Sequence, residues 1–479
     1  MIRLFRFLLP YRAQIALVLV LVFMQSMANL YLPTLMADIV DTGIVKGNIS
    51  YILSVGGLML LVTIGGTLAA IAASFFSARI AIGFGRLLRA KLFMHVERFS
   101  LHEFDAVSTA SLITRTTNDT TQVQQVLIII LNMMISAPIM AIGGIVMAVS
   151  QDAPLSLVLV AVMPVVAISF YLIMSRAIPL FRVIQVKLDK LNLILDEGLT
   201  GMRVIRAFDR IDHERRRFDE ANLDLTDTTI KVNRIVTVLW PSMMLILNLS
   251  TIAILWFGSI RISNGDMQIG SLIAFLQYAT QILFAMLMLS MMFIMLPRAA
   301  ASADRINEVL DIVPEINDAS EVKRADAQRG YVEFDHVTFS YPGAEEPALC
   351  DISFQARPGE VTAIIGGTGS GKSTLISLIP RFYDVDSGRV LVDGVDVRQM
   401  AQEHLRSKIG FVPQKAVLFS GTIAENIRYG KENATEEEVQ HAAEIAQATE
   451  FISEMKEGYD SIIAQGGTNV SGGQKQRLS

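Results

Sequence analysis

Cysteine occurs once in 479 residues, at Cys350, so no internal disulfide can staple this chain. A packed, inert thiol is expected there. Histidine is scarce as well, with six residues and none beyond His441. Charge is the most informative shortage. Only 18% of residues are Asp, Glu, Lys or Arg, 52% are hydrophobic, and the mean hydropathy is positive. That balance excludes an ordinary soluble chain and describes a membrane protein diluted by a soluble part. The net charge of −5 carries little information, because the charges are unevenly placed.

Six stretches hold no Asp, Glu, Lys or Arg at all: 13–37, 47–78, 120–151, 153–175, 235–260 and 267–297. Each exceeds the roughly 20 residues a helix needs to cross the hydrocarbon core. Asp152 alone parts the third from the fourth, so "SQDAPLS" reads as a tight turn. The first run is too long for a cleavable signal peptide and lacks a small-residue cleavage site. Segments 1–12, 79–119 and 176–234 hold 21 Lys and Arg, while the opposite side holds only Lys46 and Arg261. The positive-inside rule places both termini in the cytoplasm. The two long cytoplasmic segments contain helix-permissive runs, as if spans continue as helices beyond the membrane.

No ionisable residue sits near the centre of a span, which argues against an ion-coupled carrier. Two polar pairs do occur four residues apart, Gln25 with Asn29 and Gln277 with Gln281, each on one helix face. Such amides serve either to tie helices together or to line a cavity. Met286, Met288, Met291, Met292 and Met295 crowd the sixth span, as ordinary packing or as a surface adaptable to varied apolar solutes.

Beyond Pro297 the composition changes. "RAAASADRINEVLDIV" reads as an amphipathic helix and "PEINDASEVKRADAQRG" as a charged linker. From Tyr331 the pattern is that of a soluble α/β domain: "YVEFDHVTFSY" alternates as a strand, and "EVTAII" reads as a short buried strand. The latter runs into "GGTGSGKST": Gly366, Gly367, Thr368, Gly369, Ser370, Gly371, Lys372, Ser373 and Thr374. Gly366, Gly371, Lys372 and Ser373 fit G-x-x-x-x-G-K-[ST]. Glycines let backbone N–H groups turn inward around phosphate oxygens. The following helix points its positive end at the anion, Lys372 supplies a compact charge, and Ser373 is a ligand for Mg²⁺.

With "FSYPG", "IGFVPQ", "LFSGTIAENI" and "VSGGQ" in this order and spacing, the whole chain resembles the ATP-binding cassette exporters of half-transporter type. The resemblance implies an α-helical six-span transmembrane domain (1–297, with loops 79–119 and 176–234), a linker (298–330) and an α/β phosphate-loop nucleotide-binding domain (331–479). It implies ATP and Mg²⁺ as cofactors. Tyr341 matches the aromatic that stacks on adenine, and Gln414 the glutamine that contacts Mg²⁺ and water and senses the membrane domain. Val470, Ser471, Gly472, Gly473 and Gln474 match the signature sequence, with Val where Leu is commonest. "FDAVSTASLITRTTND" and "LDEGLTGMRVIRAFDR" resemble the cytoplasmic loops that seat on the cassette. The implied activity is ATP-driven export of a hydrophobic or amphiphilic solute through the cytoplasmic membrane by alternating access. The alternative is a nucleotide-binding regulator or gated pore without steady turnover. No nucleic-acid partner is expected. "GGTNVSGGQKQRLS" and "LPTLMADIVDTGI" look most like one half of a heterodimeric bacterial multidrug exporter, so a second half-transporter is the expected partner. In such a pair the signature of this chain completes the site on the partner's phosphate loop, and Asp often replaces the catalytic Glu of this half. The Mg²⁺-holding Asp, that carboxylate and a switch His normally follow the signature helix. The expectation is therefore that the cassette is incomplete and Ser479 is not a natural end.

Overall fold

A long apolar run leaves a backbone in lipid only one local solution, a helix that satisfies its own N–H and C=O groups. The computed structural model, which describes residues 1–319, 323 and 330–479, follows that rule. Among the described residues six helices are long and apolar enough to cross a membrane. In chain order the helices of this part are α1 (Arg12–Asp38), α2 (Ile49–Val96), α3 (Leu101–Val107), α4 (Thr109–Thr114), α5 (Thr120–Ile129), α6 (Ile135–Gln151), α7 (Ser156–Thr200), α8 (Met202–Ala207), α9 (Ile211–Thr237), α10 (Leu239–Ser263) and α11 (Ile269–Asp311). Wide π-type turns at Ile39–Ile44, Arg115–Asp119 and Ile130–Met134 are spliced between them. At 48 and 45 residues, α2 and α7 measure about 70 Å, twice the hydrocarbon thickness.

The expected turn at Asp152 is present and its chemistry is visible. The Asp152 carboxylate accepts from Leu155 N at 2.8 Å and from Arg261 Nε at 2.7 Å, so the acidic residue that parts the third span from the fourth is paired with one of the few basic residues at that end. The chain does not pause at Pro297. α11 carries Pro297 inside it and runs on to Asp311, so the sixth span and the amphipathic run are one helix. Proline removes one i→i−4 bond, and in an apolar surround no water competes for the rest. Part of the linker expected over 298–330, namely 320–322 and 324–329, lies outside the described residues.

The chain forms two compact units: Met1–Glu97 with Ser108–Ile312, and Arg98–Val107 with Val313–Ser479. The second unit therefore takes in α3. Its Glu103 is buried and accepts a hydrogen bond from Glu315 N at 2.8 Å. This unit continues with β1 (Val332–Phe339), β2 (Leu349–Ala356), α12 (Lys372–Leu378), β3 (Ser387–Val392), β4 (Val395–Asp396), α13 (Gln402–Arg406), β5 (Gly421–Thr422), α14 (Ile423–Arg428), α15 (Glu436–Ile445), α16 (Thr449–Glu454), β6 (Ile462–Ile463) and α17 (Gly472–Leu478). The main sheet is antiparallel, in the order β2-β1-β3-β4. The alternating "YVEFDHVTFSY" does form β1, with Phe334, Val337 and Phe339 inward. The alternation slips at His336, whose φ of +51° makes a bulge. Gly388 passes so close to the His336 carbonyl that a Cβ there would collide with it.

Two expectations fail. "EVTAII" forms no strand: it is irregular and exposed, with Val361 at 98% and Ile365 at 91% of full accessibility. A strand exists only by pairing its N–H and C=O groups, and no described segment supplies that neighbour. Cys350 is exposed on the edge strand β2 rather than packed.

Asp393 and Gly394 link β3 to β4 with φ of +53° and +79°, the Asp-Gly signature of a tight hairpin. The buried Asp393 carboxylate accepts from Gly330 N (2.9 Å), Tyr331 N (3.1 Å) and Lys408 Nζ (2.8 Å). Burial opposes its ionisation, but the Lys408 and backbone N–H bonds outweigh that and lower its pKa. A carboxyl lowered in the folded state adds stability that is present above the unfolded value near 3.9 and lost as pH falls through the folded one. Asp393→Asn is expected to cost roughly 1.5–3 kcal/mol at pH 6. The gap between variant and wild type in denaturant unfolding should narrow below about pH 4.

Candidate functional site

The phosphate loop is built from conformations that only glycine adopts cheaply. Gly369 and Gly371 have φ of +83° and +84°. Behind Gly371 stand Ala348 O and Leu349 Cδ2, each 2.8 Å from where a Cβ would lie. β2 thus forms the wall that demands this glycine. Around Gly367 and Gly369 a Cβ would meet nothing within 4 Å, which leaves the inner side of the loop open. Ser370 N donates to Gly367 O at 3.3 Å, and Leu375 N to Gly371 O at 2.9 Å as α12 begins.

Lys372 lies across this cradle. Its Nζ donates to Gly366 O at 2.9 Å, Gly367 O at 2.6 Å and Ser370 Oγ at 3.4 Å. The loop carbonyls hold the ammonium at the position from which an anion in the cradle would be met. Ser373 lies at the start of α12, and its hydroxyl has no hydrogen-bond partner among the described residues. The next residue, Thr374, is buried, and its Oγ1 lies 3.0 Å from the Tyr341 hydroxyl. That contact, which sequence reasoning missed, ties Tyr341 to α12. The Tyr341 ring is 40% exposed, with Phe339 and Tyr383 against it edge-on at 5.1 and 5.5 Å. Gln414 lies in a segment with no regular structure. Of the residues expected at the nucleotide, the loop, Lys372, Thr374 and Tyr341 are thus joined through hydrogen bonds and α12, and Gln414 is not.

The signature turn belongs to a second, helical core of Leu418, Ile423, Phe451, Ile452, Ile463 and Val470 among others. Val470 is buried there, which accounts for an aliphatic residue at this place. Ser471 caps α17 in a reciprocal pair with Gln474: Ser471 Oγ accepts from Gln474 N at 3.3 Å, and Gln474 Oε1 accepts from Ser471 N at 2.8 Å. Gly472 and Gly473 face open space. Asn469 and Lys475 pin the turn from behind, through Ile462 O (2.8 Å) and Gly466 O (2.8 Å). The sequence signal for both was present in "GGTNVSGGQKQ" but does not reveal which carbonyls they reach.

A six-helix membrane part and a phosphate-loop domain with a capped Ser-Gly-Gly turn define a membrane protein coupled to a nucleotide. Residues 15–286 match the family model described as the ABC transporter transmembrane region, and residues 349–479 the model described as ABC transporter. The chain belongs to the ABC transporter family, with its membrane and ATP-binding parts fused in half-transporter form. It is 44% identical over 474 residues to an uncharacterised ABC transporter ATP-binding protein of Mycobacterium tuberculosis, covering 98% of this chain and 81% of that protein. It is 35% identical over 393 residues to an ATP-binding/permease protein of Bacillus subtilis assigned provisionally to multidrug export, covering 82% and 68%. A fatty acid ABC transporter ATP-binding/permease protein of Mycobacterium bovis is 34% identical over 393 residues, covering 82% and 62%. The chain is accordingly part of an ATP-hydrolysing transporter.

Proposed function

We propose that this chain is one half of a heterodimeric exporter that moves a hydrophobic or amphiphilic solute out of the cytoplasm at the expense of ATP. The observation that carries the reading is the presence, in one chain, of a phosphate loop pre-shaped around Lys372 and a separately built signature turn, joined to six spans free of central charge. Two different chains then complete each nucleotide site, the loop of one with the Ser471–Gln474 turn of the other. The provisional multidrug assignment of one relative and the fatty acid assignment of another agree with an apolar or amphiphilic cargo.

In this reading the cradle binds the phosphates, Lys372 offsets their charge and Tyr341 carries the base on its exposed ring. Ser373 and Gln414 are the oxygen donors suited to Mg²⁺, a hard cation that takes oxygen ligands. When bound, Mg²⁺ neutralises phosphate charge. Closure of the two cassettes on ATP favours one orientation of the spans, and its loss restores the other, because ATP binds the two states unequally. Both termini face the cytoplasm, in line with the 21 to 2 distribution of Lys and Arg.

The test is accumulation of a fluorescent amphiphile in inverted membrane vesicles that contain both halves. Uptake that needs ATP and is not supported by a non-hydrolysable analogue is expected. A conductance opened by that analogue without uptake would replace the pump with a gate.

A further inference from the structure

The polar pairs in the apolar spans meet at one place. A cavity of about 240 Å³ opens between α1, α6 and α11, and its polar wall is Gln25, Ser26, Asn29, Ser136, Thr280 and Gln281. The rest of the wall is apolar, Met140, Phe284 and Met288 supplying the bulk of it. No Asp, Glu, Lys, Arg or His lines it among the described residues. Gln277, one turn earlier than Gln281, is not part of the wall.

Interhelical tying accounts for only some of these groups. Gln281 Nε2 donates to Asn29 O at 3.2 Å, and one turn away Tyr278 Oη donates to Leu30 O at 2.9 Å. These two bonds fasten α11 to α1. They leave Gln281 Oε1 buried without a partner. The side-chain amides of Gln25, half-buried, and Asn29, exposed, have no hydrogen-bond partner among the described residues, but of the three only Gln281 presents a buried unpaired atom. In a protein interior an unpaired polar atom costs the desolvation of that group. In a span there is no bulk water to offset it. Three amides at one cavity, one with a stranded acceptor and each able to donate and accept, suit a ligand that brings its own donors and acceptors.

The geometry points to a subsite for the uncharged, hydrogen-bonding head group of an amphiphile, an amide or polyol, with its alkyl part against Met140, Phe284 and Met288. This inference rests on the export reading for its purpose but not for its chemistry. The cavity is somewhat smaller than the usual small-molecule pocket, so it fits a head group and not a whole drug. A cation is excluded by the same wall: no carboxylate is present to pair with it, and burying an unpaired charge is costly.

The experiment uses both halves together in lipid nanodiscs, without nucleotide. It measures saturable binding of two probes with the same ten-carbon chain, radiolabelled decanoyl-N-methylglucamide and decyltrimethylammonium. Wild type is expected to prefer the glucamide at least tenfold. Gln281→Leu should weaken glucamide binding about tenfold or more. Gln281→Glu should gain binding of the ammonium probe, a gain that misfolding cannot imitate. Equal affinity for both probes in wild type overturns the proposal. So does wild-type glucamide affinity in Gln281→Leu, or a Gln281→Glu variant with no new affinity for the cation. Head-group selectivity with no ATP-driven uptake of the glucamide in vesicles would leave the subsite standing and remove the export reading instead.

Discussion

Lys372→Ala is expected to raise the dissociation constant for ATP by one to two orders of magnitude and to abolish turnover. The Lys372 ammonium holds the loop in place. Its bonds to Gly366 O and Gly367 O cross-brace a loop whose glycines otherwise impose little order of their own. The variant therefore loses both a charge-assisted bond to phosphate, worth about 1.5–3 kcal/mol, and the brace that pre-forms the cradle. A loss of about 1.4 kcal/mol is a factor of ten in binding. Lys372→Arg is expected to recover little, because a planar fork does not replace a compact ammonium between two carbonyls. Equilibrium binding of a fluorescent ATP analogue is the measurement, and wild-type affinity in Lys372→Ala would remove residues 366–374 from the nucleotide site.

The second large effect is expected within the membrane unit. Asp119 is fully buried and accepts from both arms of Arg305, with Nε to Oδ2 at 2.8 Å, while Arg305 also donates to Ser302 Oγ at 3.1 Å. One turn away Arg115 pairs with Glu308 at 3.2 Å and donates to Arg305 O. Removing one partner of a buried pair strands the other, at about 3–5 kcal/mol. Arg305 is half exposed and partly rehydrates, so Arg305→Ala should cost the low end of that range or less, because it is Asp119 that stays buried. Asp119→Ala should cost less still, since the guanidinium left behind can reach water. The order Arg305→Ala worse than Asp119→Ala, read as loss of thermal stability of the purified dimer, separates an ion pair from mere packing. Equal and negligible losses would show that the pair adds nothing to the stability of the membrane unit.

The six spans, the phosphate loop and the signature turn were legible in the sequence because each depends on local information. A charge-free run as long as 13–37 has few alternatives to a spanning helix, and glycine spacing encodes backbone conformation directly. The features that escaped all depend on partners distant in the chain. Nothing near Asp119 announces Arg305, 186 residues on. "EVTAII" has the composition of a buried strand, yet composition cannot supply the neighbouring strand. The composition changes beyond Pro297, and only the helix around it shows that the span and the amphipathic run are continuous. The amides were half legible. Spacing found Gln25, Asn29 and Gln281 but also offered Gln277, and it gave no notice of Ser26, Ser136 or Thr280, small hydroxyl residues common in any membrane helix.

The continuity of α11 gives the membrane unit a mechanical property. Gln281 at the cavity and Arg305 at the ion pair sit on one unbroken rod, about 36 Å apart along its axis. A twist or slide imposed at either point must be carried by the shaft, bent at Pro297, or absorbed by the fittings at the far end. The shaft is fastened to α1 beside the cavity by Gln281 and Tyr278, and to the wide turn at Asp119 by Arg305, so the cavity wall and the ion pair are two fixings of a single helix.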